Sequence, residues 1–166
     1  MQSNRRRIAL AALAAALGCA PGMPFESRAP NRLGAWVPES TATVMHTGTS
    51  SLDNPTMLVV SDTGQWRTLW TEAWKTSPVF PSVPGFDFVT TSVVVVGLGW
   101  RAGPGYEVTI DSVVSYTTGA VLYATSLEPG AHCDISTGTS APVHMVHAPD
   151  HPPVVEWRVS INRRDC

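Results

Sequence analysis

Histidine and cysteine are the residues of this chain best suited to hold a metal ion, and several lie close together in sequence. His144, His147 and His151 fall within one short stretch, and His132 directly precedes Cys133. A metal site needs ligands that converge on one point. Because His144 and His147 are three apart in a predicted strand, their side chains point to opposite faces. We therefore expect surface histidines and no metal site.

Three further patterns have residue types that suit catalysis or nucleotide binding, but their spacing or context does not fit. Gly97–Ala102 has the spacing of a dinucleotide fingerprint, which requires a helix directly after it, whereas Gly103–Gly105 and a strand-like run follow. Segment 138–142 lacks the second glycine of a nucleophile elbow. Glu107 and Asp111 share a predicted strand face but stand about 13 Å apart, which suits no paired-carboxylate mechanism. We expect no catalytic residue, no nucleotide and no cofactor.

The N-terminal segment has the features of a bacterial export signal. Arg5–Arg7 form a positive region, and the apolar stretch Ile8–Leu17 is too short to span a bilayer. It ends in Ala16-Leu-Gly-Cys19, which resembles a lipobox, so residues 1–18 are predicted to be a cleaved signal peptide and Cys19 to be lipidated. The protein would then lie in the cell envelope, on the periplasmic or extracellular face of a membrane, held through its lipid anchor only. Ordinary secretion with cleavage near Ala20 is the alternative.

Proline content and the remaining cysteines suggest how the exported chain is organised. Residues 19–40 carry four prolines and no periodicity, which is typical of a tether, and residues 41–166 are predicted to form a single domain. Cys133 and Cys166 form an even pair in an oxidising compartment, so we expect a disulfide between them. A disulfide that closes the chain between Cys133 and Cys166 would stabilise the folded state by roughly 3–4 kcal/mol in the chain-entropy model. The alternative is that both thiols stay reduced.

The overall composition favours a turn-rich β protein and argues against nucleic-acid binding. The 166 residues include 13 Gly and 14 Pro, are 43% hydrophobic and carry a net charge of −2 with a single lysine. Phosphate binding needs clustered lysine and arginine side chains. A chain whose positive and negative charges nearly cancel is therefore not expected to bind nucleic acid. The chain has no internal repeat, although Thr-Gly-Thr-Ser occurs at 47–50 and again at 137–140.

One amphipathic helix is predicted in the middle of the chain. Asp62 or Thr63 can cap it, Gln65 completes a capping box with Asp62, and Pro78 stops it. Its apolar positions recur with helical spacing and include three tryptophans: Trp66, Leu69, Trp70, Ala73 and Trp74. We interpret this stripe as the face that packs on a sheet and not as a platform for a ligand.

The rest of the domain is predicted to be β structure. Segments 41–46 and 57–60 are expected to form a first hairpin, and Ser92–Leu98 contains four consecutive valines, which is typical of a central strand buried on both faces. Further strands are predicted at 106–116, 120–125, 143–146 and 154–161. Together they indicate a mainly β fold of about seven strands, a small antiparallel β-sandwich or open barrel, with the amphipathic helix packed on it.

An ordered set of short motifs resembles the C-terminal domain of the protease complex subunit PrcB family over about half of the chain. In chain order the motifs are a tryptophan helix, Asp-Phe, a valine strand, Gly-x-Arg, a glycine loop ending in Gly-Tyr, an alternating strand, a cysteine and Pro-Val. Here they are Trp66, Trp70 and Trp74; Asp87-Phe88; Val93–Val96; Gly99-Trp100-Arg101; Gly103–Tyr106; Val108–Ile110; Cys133; and Pro142-Val143. The loop before Tyr106 is one residue longer than the family's usual Thr-Gly-Gly-Tyr.

The resemblance implies a non-catalytic surface lipoprotein that associates with an exported protease or another envelope protein. Its glycine loop is the candidate partner-binding site, because Trp100, Arg101 and Tyr106 are residue types common at binding hot spots, while Gly103 and Gly105 allow turns with positive φ. The plainer interpretation is a tight hairpin whose aromatic side chains only pack.

Two other functions stay open. The loop is also faintly similar to those of chagasin-like inhibitors of cysteine proteases, although their characteristic Asn-Pro-Thr-Thr-Gly is absent. A purely structural envelope lipoprotein is the third possibility.

Overall fold

A computed structural model describes residues 30–39, 42–133 and 137–165, which form ten strands and one helix. The first strands are β1 (Arg32–Trp36), β2 (Thr43–Thr47) and β3 (Thr56–Val60), and α1 (Thr63–Trp74) follows them. The remaining strands are β4 (Thr91–Gly97), β5 (Arg101–Ala102), β6 (Glu107–Tyr116), β7 (Gly119–Pro129), β8 (Thr139–Ser140), β9 (Val143–Pro149) and β10 (Val154–Arg164).

The strands assemble into two four-stranded sheets and one short ribbon. The outer sheet has the order β1-β6-β7-β10, and the middle sheet has the order β2-β9-β4-β3. Strands β5 and β8 pair separately as a two-stranded ribbon. All of these pairs are antiparallel except β7 and β10, which run parallel over their whole length.

Strand order corrects two predictions. The expected hairpin of β2 and β3 does not form, because β9 and β4 lie between them in the middle sheet. Strand β1 lies within the range 19–40 that composition assigns to a tether, and it pairs with β6 at the edge of the outer sheet. Residues Arg32–Trp36 therefore belong to the folded domain.

The middle sheet is buried on both of its faces. Val94 and Val96 pack with the outer sheet, whereas Val93 and Val95 pack toward α1, and all four are 0% exposed. Because side chains alternate along a strand, a run of valines supplies both cores at once. This confirms the prediction of a central strand and the fold class, a β-sandwich with one packed helix.

Helix α1 covers the second face of the middle sheet. The Asp62 carboxylate accepts a 2.8 Å hydrogen bond from the Gln65 backbone N–H, which confirms Asp62 as the predicted N-cap. Trp66 and Trp70 are buried against the sheet, and their indole N–H groups donate to the backbone carbonyls of Pro84 and Pro81. The tryptophan stripe is therefore a packing face, as predicted.

In the ranges described, no helix is both long and apolar enough to cross a membrane.

Truncating a side chain between the two sheets should destabilise the protein far more than truncating one on the surface. Leu122 on β7 is fully buried in the core that the outer and middle sheets share. We expect Leu122→Ala to lower the free energy of unfolding in urea by about 2–5 kcal/mol, because it leaves a cavity. Ile161→Ala on β10, where the side chain is 59% exposed, should cost less than about 1 kcal/mol. Equal losses in the two variants would contradict this packing.

Candidate functional site

The glycine loop between β4 and β6 adopts the backbone that its glycines allow. Gly99, Gly103 and Gly105 have φ angles of 71°, 96° and 92°, in the left-handed region that other residues rarely adopt. A Cβ atom at Gly99 would also lie 2.7 Å from the backbone nitrogen of Pro55. The loop is therefore shaped by close backbone contact as well as by its turns.

Trp100 combines a fixed backbone with an exposed side chain. Its N–H donates a 2.9 Å hydrogen bond to the carbonyl of Asp53, directly beside the close contact at Gly99. The residue is nevertheless 53% exposed. The loop thus presents a large aromatic surface from a backbone that is held on both sides.

The second half of the loop is joined to the segment around β8. Arg101 and Ala102 form β5 and pair with β8, and the Gly103 N–H donates to the carbonyl of Gly138 at 2.9 Å. The Ser140 hydroxyl donates to the Gly103 carbonyl at 2.8 Å. These bonds tie the loop to a segment more than thirty residues away in sequence.

The two copies of Thr-Gly-Thr-Ser lie side by side next to this loop. The Ser50 N–H donates to the Ala141 carbonyl at 3.0 Å, and the Ala141 N–H donates to the Gly48 carbonyl at 2.9 Å. The last two residues of each copy, Thr49-Ser50 and Thr139-Ser140, help to line a hollow of about 230 Å³ together with Trp100 and Asp53. The recurrence of the tetrapeptide was visible in the sequence, but it gave no sign that the copies meet.

Arg101 and Tyr106 are less available to a partner than Trp100. The Arg101 guanidinium donates a 3.0 Å hydrogen bond to the Trp100 carbonyl, and both Arg101 and Tyr106 are half-buried. The structure therefore brings all five predicted loop residues into one region, with Trp100 as the most exposed of the large side chains in it. The packing interpretation fits Tyr106 better.

His144 is buried, which corrects the prediction that the histidines lie on the surface. It is 4% exposed, and its Nδ1 accepts a 2.8 Å hydrogen bond from the Ile110 backbone N–H. This bond links β9 of the middle sheet to β6 of the outer sheet. The Thr43 hydroxyl lies 3.3 Å from Nε2, and the His46 ring lies 4.5 Å away between centroids.

His144 and His147 point to opposite faces of β9, as predicted. The ring of His147 stacks on Phe86 on the helix side of the sheet, whereas His144 faces the outer sheet. In the segments described, no group of three or more His, Cys, Asp or Glu side chains is placed to hold a metal ion.

Burial, reinforced by the neighbouring His46, lowers the pKa of His144 from 6.5 to about 4. At neutral pH the ring is uncharged, which is the form that leaves Nδ1 able to accept from Ile110. The neighbouring His46 has its Nε2 3.3 Å from the Glu107 carboxylate, which also lies 4.0 Å from the Arg164 guanidinium.

The two carboxylates considered for catalysis have separate structural partners. Glu107 pairs with His46, whereas Asp111 accepts a 2.8 Å hydrogen bond from the Thr125 hydroxyl. They do not converge on a shared site.

The predicted cysteine chemistry falls largely outside the described residues, which exclude Cys19 and Cys166. Cys133 follows β7 in the chain and lies beside the last residue of β10, with its Sγ 3.5 Å from the Arg164 carbonyl oxygen. That carbonyl is two residues from Cys166 in sequence. The lipid anchor and the Cys133–Cys166 disulfide both stay predictions.

Comparison of this chain with protein-family models, with curated proteins and with solved structures finds no match.

The buried histidine predicts a specific loss of stability in acid. Well above pH 6.5, His144 is neutral in both the folded and unfolded chains. As the pH falls through 6.5 toward about 4, mainly the unfolded chain binds the proton. The free energy of unfolding should therefore decrease over this range. His144→Asn, which cannot titrate and keeps an acceptor near Nδ1, should lack much of that decrease in urea titrations. Parallel pH profiles for the two proteins would contradict the assignment.

Proposed function

We propose that this protein is a non-catalytic protein-binding module of the bacterial cell envelope, with the loop at residues 99–106 as its contact surface. The observation that carries the proposal is the exposed indole of Trp100 on a backbone held by Asp53 and by the close contact at Gly99. The partner is an exported protease or another envelope protein, as the resemblance to the PrcB family implies.

A binding surface loses conformational entropy when its side chains become ordered against a partner, and the fixed backbone of this loop reduces that loss. Tryptophan is enriched among the residues that contribute most to protein–protein binding, and a side chain on a fixed backbone loses less entropy when it binds. The hydroxyl-lined hollow beside Trp100 supplies polar groups at the edge of such a contact. Arg101 and Tyr106 then act as supporting residues that shape the loop.

The proposed location follows from the N-terminal sequence. Export and acylation at Cys19 would place the folded domain outside the cytoplasm and hold it on a membrane through lipid alone. A Cys133–Cys166 disulfide suits that compartment, and the approach of Cys133 to Arg164 supports it. If the lipobox is not used, the same domain is secreted.

The proposal predicts that the partner is lost when the indole is removed. Trp100→Ala should lower recovery of the crosslinked partner at least about tenfold, since hot-spot truncations cost about 2 kcal/mol or more, and should leave the unfolding temperature nearly unchanged. Val89→Ala, at a side chain that is 84% exposed elsewhere on the surface, is the matched control and should behave as the wild type. The measurement is crosslinking in intact cells, mild solubilisation, affinity purification and quantitative mass spectrometry.

Four results would count against the proposal in different ways. Retention of the partner by Trp100→Ala would remove the loop from the interface. Unfolding of Trp100→Ala would show that the indole is structural. Recovery of the protein alone, with an acylated Cys19 peptide, would favour a structural envelope lipoprotein, whereas stoichiometric inhibition of a purified protease would favour an inhibitor.

A further inference from the structure

Strand β3 is an edge of the middle sheet that lacks the usual protection of an exposed edge. It pairs with β4 along all five of its residues, and no other described strand pairs with its second edge. Edge strands are commonly guarded by charged residues or proline. The other edges of the two sheets carry ionisable side chains, including Arg32 on β1, His46 on β2 and Arg158 on β10, whereas β3 reads Thr-Met-Leu-Val-Val.

A hollow lies on each face of this edge. On the helix side, Leu58 and Leu69 help to line a hollow of about 550 Å³ between β3 and α1. On the outer-sheet side, Val59, Pro152 and Trp157 help to line another of about 490 Å³. Leu58 and Val59 are neighbours in sequence, and they pack toward the two different cores.

This arrangement matches the geometry of an added strand. Successive side chains of an extended peptide point to opposite faces, so a strand paired with β3 would place one side chain in the helix-side hollow and the next in the other. Its backbone groups would pair with those of β3, as in other cases of β-augmentation.

We propose that the β3 edge and its two hollows, which we call the β3 groove, bind an extended, uncharged, apolar segment of a partner polypeptide by strand addition. The inference deepens the proposed function and rests on it, because it assigns how the protein partner is held. One short segment joins the groove to the loop: the Trp100 N–H donates to the Asp53 carbonyl, and β3 begins three residues after Asp53.

The charges around the groove favour an uncharged segment. In the helix-side hollow the one charged lining residue is Glu72, whose carboxylate is already paired with Lys75 at 2.6 Å. The lining of the opposite hollow has no carboxylate, lysine or arginine. The one titratable residue that lines the second hollow is His151. A charged side chain placed in either hollow would therefore lose hydration without gaining a lysine, an arginine or an unpaired carboxylate as its counter-ion.

An isolated strand fits this edge better than a second copy of the protein. Helix α1 borders one side of the edge, and the turn at residues 151–153 borders the other. A second copy would have to bring its own helix and turn into the same space. The pairing of two five-residue edges would cover only about 17 Å of strand, a small part of the contact that stable protein–protein interfaces need.

The test uses the full ¹⁵N-labelled chain in mild detergent and a defined probe, the peptide acetyl-Ser-Val-Thr-Val-Ile-Thr-Ser-amide. Saturable shifts of the Met57–Val60 amide signals should appear as peptide is added. A second peptide of the same sequence, N-methylated at every peptide nitrogen, should give no such shifts, because neither of its edges can donate the strand hydrogen bonds.

A matched pair of helix variants locates the site. Thr68 lines the helix-side hollow, whereas Thr71 does not, and both are exposed positions of α1. Thr68→Glu should weaken peptide binding at least about tenfold by placing an unpaired charge in the hollow. Thr71→Glu should stay within about twofold of the wild type, because its charge remains in solvent. Circular dichroism should show the same fold for both.

Several results would overturn the inference. These are an absence of shifts in β3, equal binding of the N-methylated peptide, and equal effects of the two glutamate variants. A dimer that Met57→Lys dissociates would assign the groove to a second copy. A groove that opens to peptide only after residues 20–29 are deleted would assign it to the chain's own N-terminal segment.

The same variants separate this inference from the proposed function. If Trp100→Ala abolishes partner crosslinking while the wild-type protein fails to bind the peptide, the loop is a contact surface and the groove is not the peptide-binding site. If the peptide binds and Thr68→Glu prevents its binding, while Trp100→Ala retains the partner, the groove is a binding site and the loop is not part of the interface.

Discussion

The fold depends on one constraint, which is that the middle sheet must be covered on both faces. Four consecutive valines of β4 send their side chains alternately toward the outer sheet and toward α1, and none of them is exposed. Burying an aliphatic side chain of this size contributes about 1.5–3 kcal/mol. Each valine reaches that burial only when the layer that its side chain faces is in place, so the run as a whole needs both layers. The outer sheet and the helix are therefore parts of the same cooperative structure.

The candidate binding surfaces follow from this arrangement. The loop that carries Trp100 begins where β4 ends, so its first residues start from the most deeply buried strand of the protein. The β3 edge is one of the two sides of the same sheet that no described strand covers. The helix and the outer sheet border it only because they cover the two faces of that sheet. One buried strand thus fixes both an exposed aromatic residue and an open groove. His144 adds a polar tie between the sheets that depends on a neutral ring.

The sequence predicted those features that local pattern determines. The valine run, the helical spacing of the tryptophans and the Asp62 cap each depend on neighbouring residues, and all three are confirmed. Strand order depends on long-range pairing, so the β2–β3 hairpin was predicted wrongly and the parallel pairing of β10 was not foreseen. Strand β1 was not predicted because it lies in a proline-rich segment. The spacing of His144 and His147 indicates opposite faces of a strand, but it does not indicate which face is buried. For the site, the glycines of the loop were predictable, but the contact between the two Thr-Gly-Thr-Ser segments and the β3 groove arise only in three dimensions.

Native-state amide hydrogen exchange, measured residue by residue, would show whether the middle sheet is the core that both covering layers share. If the middle sheet is the shared core of both layers, the amides of β4 and of its neighbour β9 should exchange most slowly, with opening free energies equal to that of global unfolding. Amides of α1 and β10 should exchange at lower free energies, because each contacts the core from one side only. Rapid exchange in β4 and β9, with the strongest protection confined to the hairpin of β6 and β7, would contradict the account.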